Sequence, residues 1–260
     1  MLRWLTLVFI IFPCLLFSQD ISQLIKEAQL QESQLHENEA FLKYAQVVKL
    51  DPANLVALWK CSELCSRIGA RQPDKEKMRP YFIAAKNYAS AALSVNTNSS
   101  EANCAMAFAL GRISHVSSTK ERVILARDVK FYVDKAIRLD PTNFRAYHIL
   151  GRWNYDVSDL NMAERSFARV FYGKLPDASL DDAIDDFEKS RTLYPAFILN
   201  YYELARSYHR MGQDKKAITY LRTLLTMQDV IYDDTRVKVI ARQLLTEMAI
   251  NPLSSQQIVV

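Results

Sequence analysis

One phrase recurs along this chain, and it limits the fold more than any other feature. "KLDPANLVALW" begins at Lys49 and "RLDPTNFRAYH" at Arg138, with Pro52 and Pro141 at the same place in each. Between them, "SVNTNSSEANC" from Ser94 keeps the shape, with Thr97 where the proline would fall. "TLYPAFILNYY" from Thr192 is a fourth version, with Pro195. Self-similarity at this interval is the mark of a stacked array, in which each unit buries its apolar face only against its neighbours.

The same spacing follows every phrase: a large residue, then a large and a small one three and four positions on, then a large one at seven. It reads Tyr201, Leu204, Ala205, Tyr208, and before that Tyr147, Leu150, Gly151, Asn154. The earlier versions are Asn103, Met106, Ala107, Leu110 and Leu58, Cys61, Ser62, Cys65. Positions three, four and seven apart share one face of a helix. The small residue lets a second helix come close. That second helix carries alanine and a larger or equal residue four apart: Ala217 and Leu221, Ala183 and Phe187, Ala85 and Ala89, Ala40 and Tyr44. A proline, which cannot continue a helix, then closes most of the units. This is the tetratricopeptide pattern. It predicts an all-α fold, a right-handed superhelical array of helix hairpins over residues 19–250. Five glycines in 260 residues agree, since hairpin-built β-proteins need more.

The last unit, "NYYELARSYHRMGQDKKAITYLRTLL", has Gly212 at its turn and no insertion. The earlier units are longer. "ARQPDKEKMRP" at residues 70–80 reads as a polar, proline-bounded loop, and "SHVSSTKERV" at 114–123 as a second insertion. The longest covers residues 156–179. Its middle, "LNMAERSFARVF", has Leu160, Met162, Ala163, Phe167, Val170 and Phe171 at helical spacing. This predicts an inserted extra helix, a turn at "YGKLPDAS", and a new helix capped by Ser179 with Asp181 and Asp182 in its first turn. Trp153, in "GRWNYD", is expected to pack against the insertion. "DDTRVKVIARQLLTEMAI" reads as a solvating cap helix, and residues 251–260 as a frayed tail.

Arg3 followed by "WLTLVFIIFPCLLF" and Ser18 reads as an export leader over residues 1–18, with cleavage near Ser18. The apolar run is short for a membrane span and holds Pro13, so a membrane enters only through an uncleaved leader. The expected location is periplasmic or secreted. Beyond the leader only Cys61, Cys65 and Cys104 remain, so no disulfide framework holds the fold. The net charge of +4 is weak and unfocused, which argues against nucleic acid as the partner.

Residues 129–226 resemble the regulator of microtubule dynamics family. The residues that carry the resemblance are "DKAIRLDPTNFRAYHILGRWNYDVSDL", "AERSFARVFYGKLPDASLDDAIDDFEKSRTLYPAF" and "YYELARSYHRMGQDKKAITYL". The resemblance implies an all-helical, tetratricopeptide-like fold with an elongated repeat. An exported chain would lie apart from tubulin.

No motif for catalysis or phosphate cradling is present. His36, His115, His148 and His209 form no ligand pair at helical spacing, and no metal or cofactor is expected. Cys61 and Cys65 read as small buried residues. Asp181, Asp182, Asp185, Asp186 and Glu188 lack the glycine and spacing of a calcium loop. In such arrays the first helices line a concave groove. The positions opposite the packing face are His148, Arg152 and Tyr155 on one helix, then Tyr202, Arg206 and His209 on the next. Trp59 with Glu63, and Cys104 with Phe108, correspond earlier. Arg152 and Arg206 occupy equivalent places in adjacent units. Stacked guanidinium forks beside aromatic rings suit a carboxylate or acidic peptide. The predicted function is a non-enzymatic adaptor binding a protein or peptide in this groove. The alternative is a structural component that assembles through its convex face and insertion helix. Cytoskeletal binding, by family analogy, requires an uncleaved chain facing the cytosol.

Overall fold

A computed structural model describes residues 11–172 and 177–250 of the chain. The described residues form twelve α-helices and no strand. They run α1 (Ile11–Ser33), α2 (Glu37–Leu50), α3 (Leu55–Ala70), α4 (Lys75–Val95), α5 (Ser100–His115), α6 (Thr119–Leu139), α7 (Phe144–Ser158), α8 (Met162–Tyr172), α9 (Leu180–Leu193), α10 (Ile198–Arg210), α11 (Asp214–Thr226) and α12 (Asp234–Ile250). The expected leader boundary at Ser18 falls inside α1. Residues 1–10, the predicted turn around 173–176 and the predicted tail lie outside the described residues.

The recurring phrase makes the break between one hairpin and the next. In the first, Asp51 accepts from the Ala53 N–H, and Asn54 caps α3 by accepting from the Ala57 N–H. In the second, Asp140 accepts from Thr142 and Asn143 caps α7 in the same way. Ser99 caps α5, so this phrase works without proline. Asp51 and Asp140 also donate their own N–H groups back to Val47 and Ala136, closing the preceding helices.

Helices pair as α1–α2, α3–α4, α5–α6, α7–α9 and α10–α11, and α12 covers the end. The first helix of each later hairpin also packs on the next one along: α3 on α5, α5 on α7, α7 on α10, α10 on α12. These form one layer, and α2, α4, α6, α9 and α11 the other. The packing face is the predicted one in α3, and in α10 apart from half-buried Tyr208, whereas in α7 Tyr147 and Leu150 are half-buried and His148 is buried. Leu58, Cys61, Ser62, Leu204, Ala205, Phe187 and Leu221 are all buried. The small position is obligatory at Gly151, where an added Cβ would lie 2.8 Å from the Phe187 ring. Gly212 turns the α10–α11 hairpin at φ +72°, where other residues are strained.

Much of the predicted loop at 70–80 and of the insertion at 114–123 is instead helix. Asp74 accepts from the Lys77 N–H and starts α4 at Lys75, so Pro80 lies inside α4 on an exposed face of its opening turns. Its missing donor leaves only a solvent-facing carbonyl unpaired, which water can satisfy. Ser118 and Glu121 form a reciprocal capping box that starts α6 at Thr119. The earlier units are therefore long because α4 and α6 are long, not because their loops are.

The inserted helix α8 is present, started by Asn161 and Glu164 in another reciprocal cap, and it packs on α6. Arg165 from its first turn binds carbonyls at the end of α7, those of Val157, Ser158 and Leu160. Trp153 is 4% exposed, and its indole N–H donates to the Ala126 carbonyl of α6 at 2.6 Å. The α8 side chains it is expected to meet, those of Phe167, Val170 and Phe171, lie outside the described residues. Ser179 caps α9 as expected. In α9, Asp181 and Asp182 face solvent and Asp185 is exposed, whereas Asp186 accepts from Asn154 of α7 at 2.8 Å.

Two outcomes follow for the α7–α9 hairpin. Gly151→Ala should lower stability by about 1–3 kcal/mol through overpacking against Phe187, measured by urea unfolding. Burial, with Asp182 nearby, pushes the Asp186 carboxyl up to about 7 from an ordinary 3.8 despite the Asn154 hydrogen bond. The folded state then holds a proton that the unfolded chain has lost, so this group's stability falls as pH rises from about 4 through 7. Asp186→Asn should melt higher than the parent chain at pH 8 and equal it near pH 4.

Candidate functional site

The helices of the inner layer carry three rows of side chains at equivalent positions, each row one helical turn from the next, though His148 and Cys104 of the first row are buried. The rows are Trp59, Cys104, His148, Tyr202; then Glu63, Phe108, Arg152, Arg206; then Arg67, Arg112, Asp156, Arg210. The layer is strongly concave. Arg145 of α7 reaches Glu63 of α3 at 3.3 Å, past the intervening α5. Arg71, just beyond α3, reaches Asp233 before α12 at 3.3 Å and lies over the Tyr232 ring. Such bridges across non-adjacent helices require inner tips to converge.

At one end an acid–base cluster fills the concavity. Arg67, 9% exposed, pairs with Glu37 at 3.0 Å and Glu32 at 3.3 Å, and Arg71 with Glu37 at 2.6 Å. Burial favours a neutral Glu63, but Arg145, Arg67 and Lys60 outweigh it and hold the carboxyl far below its usual range. These pairs need both partners, because either charge left alone in such a place is costly.

Of the sequence-predicted residues, Arg152, Arg206, Tyr155 and Tyr202 come together. Arg152 donates through Nη1 to both oxygens of Glu203, at 2.8 and 2.9 Å, and Arg206 donates to the same carboxylate at 2.8 Å. The carboxylate these arginines were expected to take from a ligand is thus supplied by the chain. Burial pushes Glu203 upward, yet Arg152 and Arg206 overcome it and keep the group ionised. The Tyr155 ring lies beneath Arg206, Arg210 and Arg152, at 4.7, 5.0 and 5.7 Å. Tyr202 is half-buried beside Arg206.

His148 is not a groove residue. It is buried against Phe187 and Phe197 and donates from Nδ1 to Asn200 Oδ1 at 2.9 Å. Asn200 in turn donates to the Phe187 carbonyl, which fixes its amide and hence the histidine tautomer. Burial keeps this imidazole below its usual pKa. His209 pairs with Asp214 across its own hairpin turn at 2.7 Å. Trp59 and Phe108 are half-buried on the inner layer, with Lys60 over the first ring and Arg112 over the second. Cys104, Cys61 and Cys65 are buried thiols, their pKa values raised chiefly by burial.

Glu203 and Asn200 were missed. Glu203 could have been read from its position three before Arg206, where opposite charges meet on one helix. Asn200 had no local signal, because its partners lie on α7 and α9.

Residues 23–249 match the family described as regulator of microtubule dynamics protein 1-3. The chain belongs to that family. Membership extends well beyond the residues 129–226 on which the sequence resemblance rested. Regulator of microtubule dynamics protein 3 of Xenopus laevis is 28% identical over 178 residues, which cover 68% of this chain and 38% of that protein. Regulator of microtubule dynamics protein 1 of Caenorhabditis elegans is 25% identical over 179 residues, 69% of this chain and 79% of that one. The chain therefore spans well under half of the vertebrate protein 3 relatives it matches. Among solved structures, a thermophilic tetratricopeptide protein of Thermus thermophilus superposes with a TM-score of 0.64 at 13% identity. The match covers 87% of this chain and 99% of the other, and the two share the fold. This member of the family is thus an all-α, tetratricopeptide-like array.

Glu203→Gln should cost roughly 2–4 kcal/mol of stability, because two half-buried guanidinium groups lose their shared charge. Chemical denaturation checks it. An unchanged midpoint would show that the carboxylate is not structural.

Proposed function

We propose that this chain is a non-enzymatic adaptor that holds a segment of a partner protein against its concave inner layer. The observation that carries the reading is the character of that layer between its paired charges. Trp59, Phe108, Tyr155 and Tyr202 are half-buried rings on a concave wall, three of them beneath or beside guanidinium groups. Aromatic and arginine side chains in a concave, partly desolvated setting are the groups that anchor protein partners. The family supports an interaction role rather than a chemical one, since its named relatives are regulators. Arg152 and Arg206 enter as a preformed, Glu203-held platform for the Tyr155 ring rather than as free carboxylate receptors.

The reading includes export, supported by the leader-like residues 1–18. It places the working chain in an envelope or secreted compartment, where tubulin, the partner suggested by the relatives' names, is absent.

A photo-crosslinking side chain placed in turn at Trp59, Tyr202 and the convex residue Phe131, which is 58% exposed, tests the reading in cells. Partner adducts at Trp59 and Tyr202, but not at Phe131, are expected. Adducts only at Phe131, or only between copies of this chain, would replace the adaptor with a structural component. The intact mass of the recovered protein should begin at Gln19; a full-length mass with tubulin adducts would move the chain to the cytoskeleton.

A further inference from the structure

The inner rows are matched in charge everywhere but at one place. In the third row, Arg67 has Glu37 and Glu32, and Arg210 has Asp159 at 2.7 Å. In the second, Arg152 and Arg206 share Glu203. Arg145 has Glu63. Arg112 of α5 forms no ion pair among the described residues, and its Nε has no hydrogen-bond partner. The cause is one position in the repeat. Arg67 has Glu63 four residues before it, whereas Arg112 has Phe108, so its guanidinium lies over an aromatic ring at 4.8 Å instead of beside a carboxylate.

The surroundings define what could complete it. Burial pulls the Arg112 pKa down to about 10, with Asp233 opposing, Arg152 and Arg236 reinforcing and Glu203 opposing. Charges from α7, α10 and the start of α12 therefore converge on this point of α5, at the middle of the inner layer. Arg112 itself, together with the cations Arg152 and Arg236 whose charges act on it, favours an anion. Two carboxylates in the same field resist a doubly charged one. Arg112 is half-buried, with its Nε buried and unbonded; a cation without an ion-pair partner there lowers stability, and a contact from outside the folded chain would compensate it.

We infer that Arg112, stacked on Phe108, is the anion-receiving residue of the concave face, and that it takes a single carboxylate from a bound protein segment. The inference rests on the adaptor reading above. The planar fork of Arg112 can meet both oxygens of a carboxylate, and Phe108 holds the fork's plane while excluding water from one side. The carboxylate comes from an acidic side chain or from a chain terminus, and the same guanidinium serves either.

The experiment uses the full chain and three pools of fluorescent random-sequence octapeptides: one glutamate with an amidated end, no acid with a free C-terminal carboxylate, and no acid with an amidated end. At least one carboxylate pool should bind the parent chain about tenfold or more tightly than the neutral pool, the size of a lost charge-assisted pair. Which pool does so identifies the source. Arg112→Leu should erase that preference while raising the melting temperature, because a half-buried cation without an ion-pair partner is replaced by an apolar group. A preference that persists in Arg112→Leu overturns the assignment. So does a variant that melts lower than the parent, which would show that Arg112 has a structural partner. Inorganic phosphate that displaces the peptides better than acetate would overturn the carboxylate in favour of a phosphate. Crosslinks at Trp59 and Tyr202 that survive in Arg112→Leu, with acid preference intact, would sink Arg112 and leave the adaptor standing. Their absence from the parent chain would sink the adaptor itself.

Discussion

A two-helix hairpin cannot bury its apolar stripe by itself, and everything else in this chain answers to that limit. Each hairpin is stable only against the next, so the faces must match at every step. Within the α7–α9 hairpin, Gly151 meets the Phe187 ring, where no side chain can intervene. Small residues at Ser62, Ala107 and Ala205 occupy the equivalent place, all buried. Close approach on one side of a helix and bulk on the other turn a stack into a curve. The curve then brings inner side chains from non-adjacent helices into contact.

That curvature governs the electrostatics. Residues far apart in the chain, such as Arg145 and Glu63 or Arg71 and Asp233, meet on the inner wall. Where acids and bases alternate, they neutralise one another and tie the array together. Where the repeat puts Phe108 in the acid's place, the matching fails and Arg112 is left with its charge uncovered. The inner layer is thus mostly a sealed ionic seam, with one opening in its charge balance. A ligand-facing role for such a wall belongs to the rings and the uncovered cation rather than to its most conspicuous arginines. Arg152 and Arg206 are conspicuous in sequence because they recur at equivalent positions, and in the fold Glu203 holds both.

The insertion shows the same economy on the outer side. α8 does not interrupt the stack. It lies on α6 and ties itself to the end of α7 through Arg165 and the carbonyls there. Trp153 of α7 is buried, with its indole N–H on Ala126 of α6. The lengthened α4 and α6 likewise extend hairpins without altering their order, since Asp74 and Ser118 start new helices wherever the polar stretches would otherwise have become loops.

The amino-acid sequence by itself determined the class of fold, the phrase that separates hairpins, the packing positions of most hairpin helices, the extra helix and the cap at Ser179. All of these depend on spacing of three, four and seven residues or on a cap and its first turn, which are local quantities. It also marked Tyr155, Tyr202, Arg152 and Arg206 as neighbours on one face. Only the tertiary structure decided which charges are already satisfied. His148 became a core residue because Asn200 and two phenylalanine rings close over it, and Glu203 took both arginines because α7 and α10 lie side by side. Arg112 stands uncovered because its possible partners are on α10 and beside α12 and stop short of it. Pairing across helices depends on curvature, and curvature is a sum over every interface in the array, which no single stretch of sequence contains.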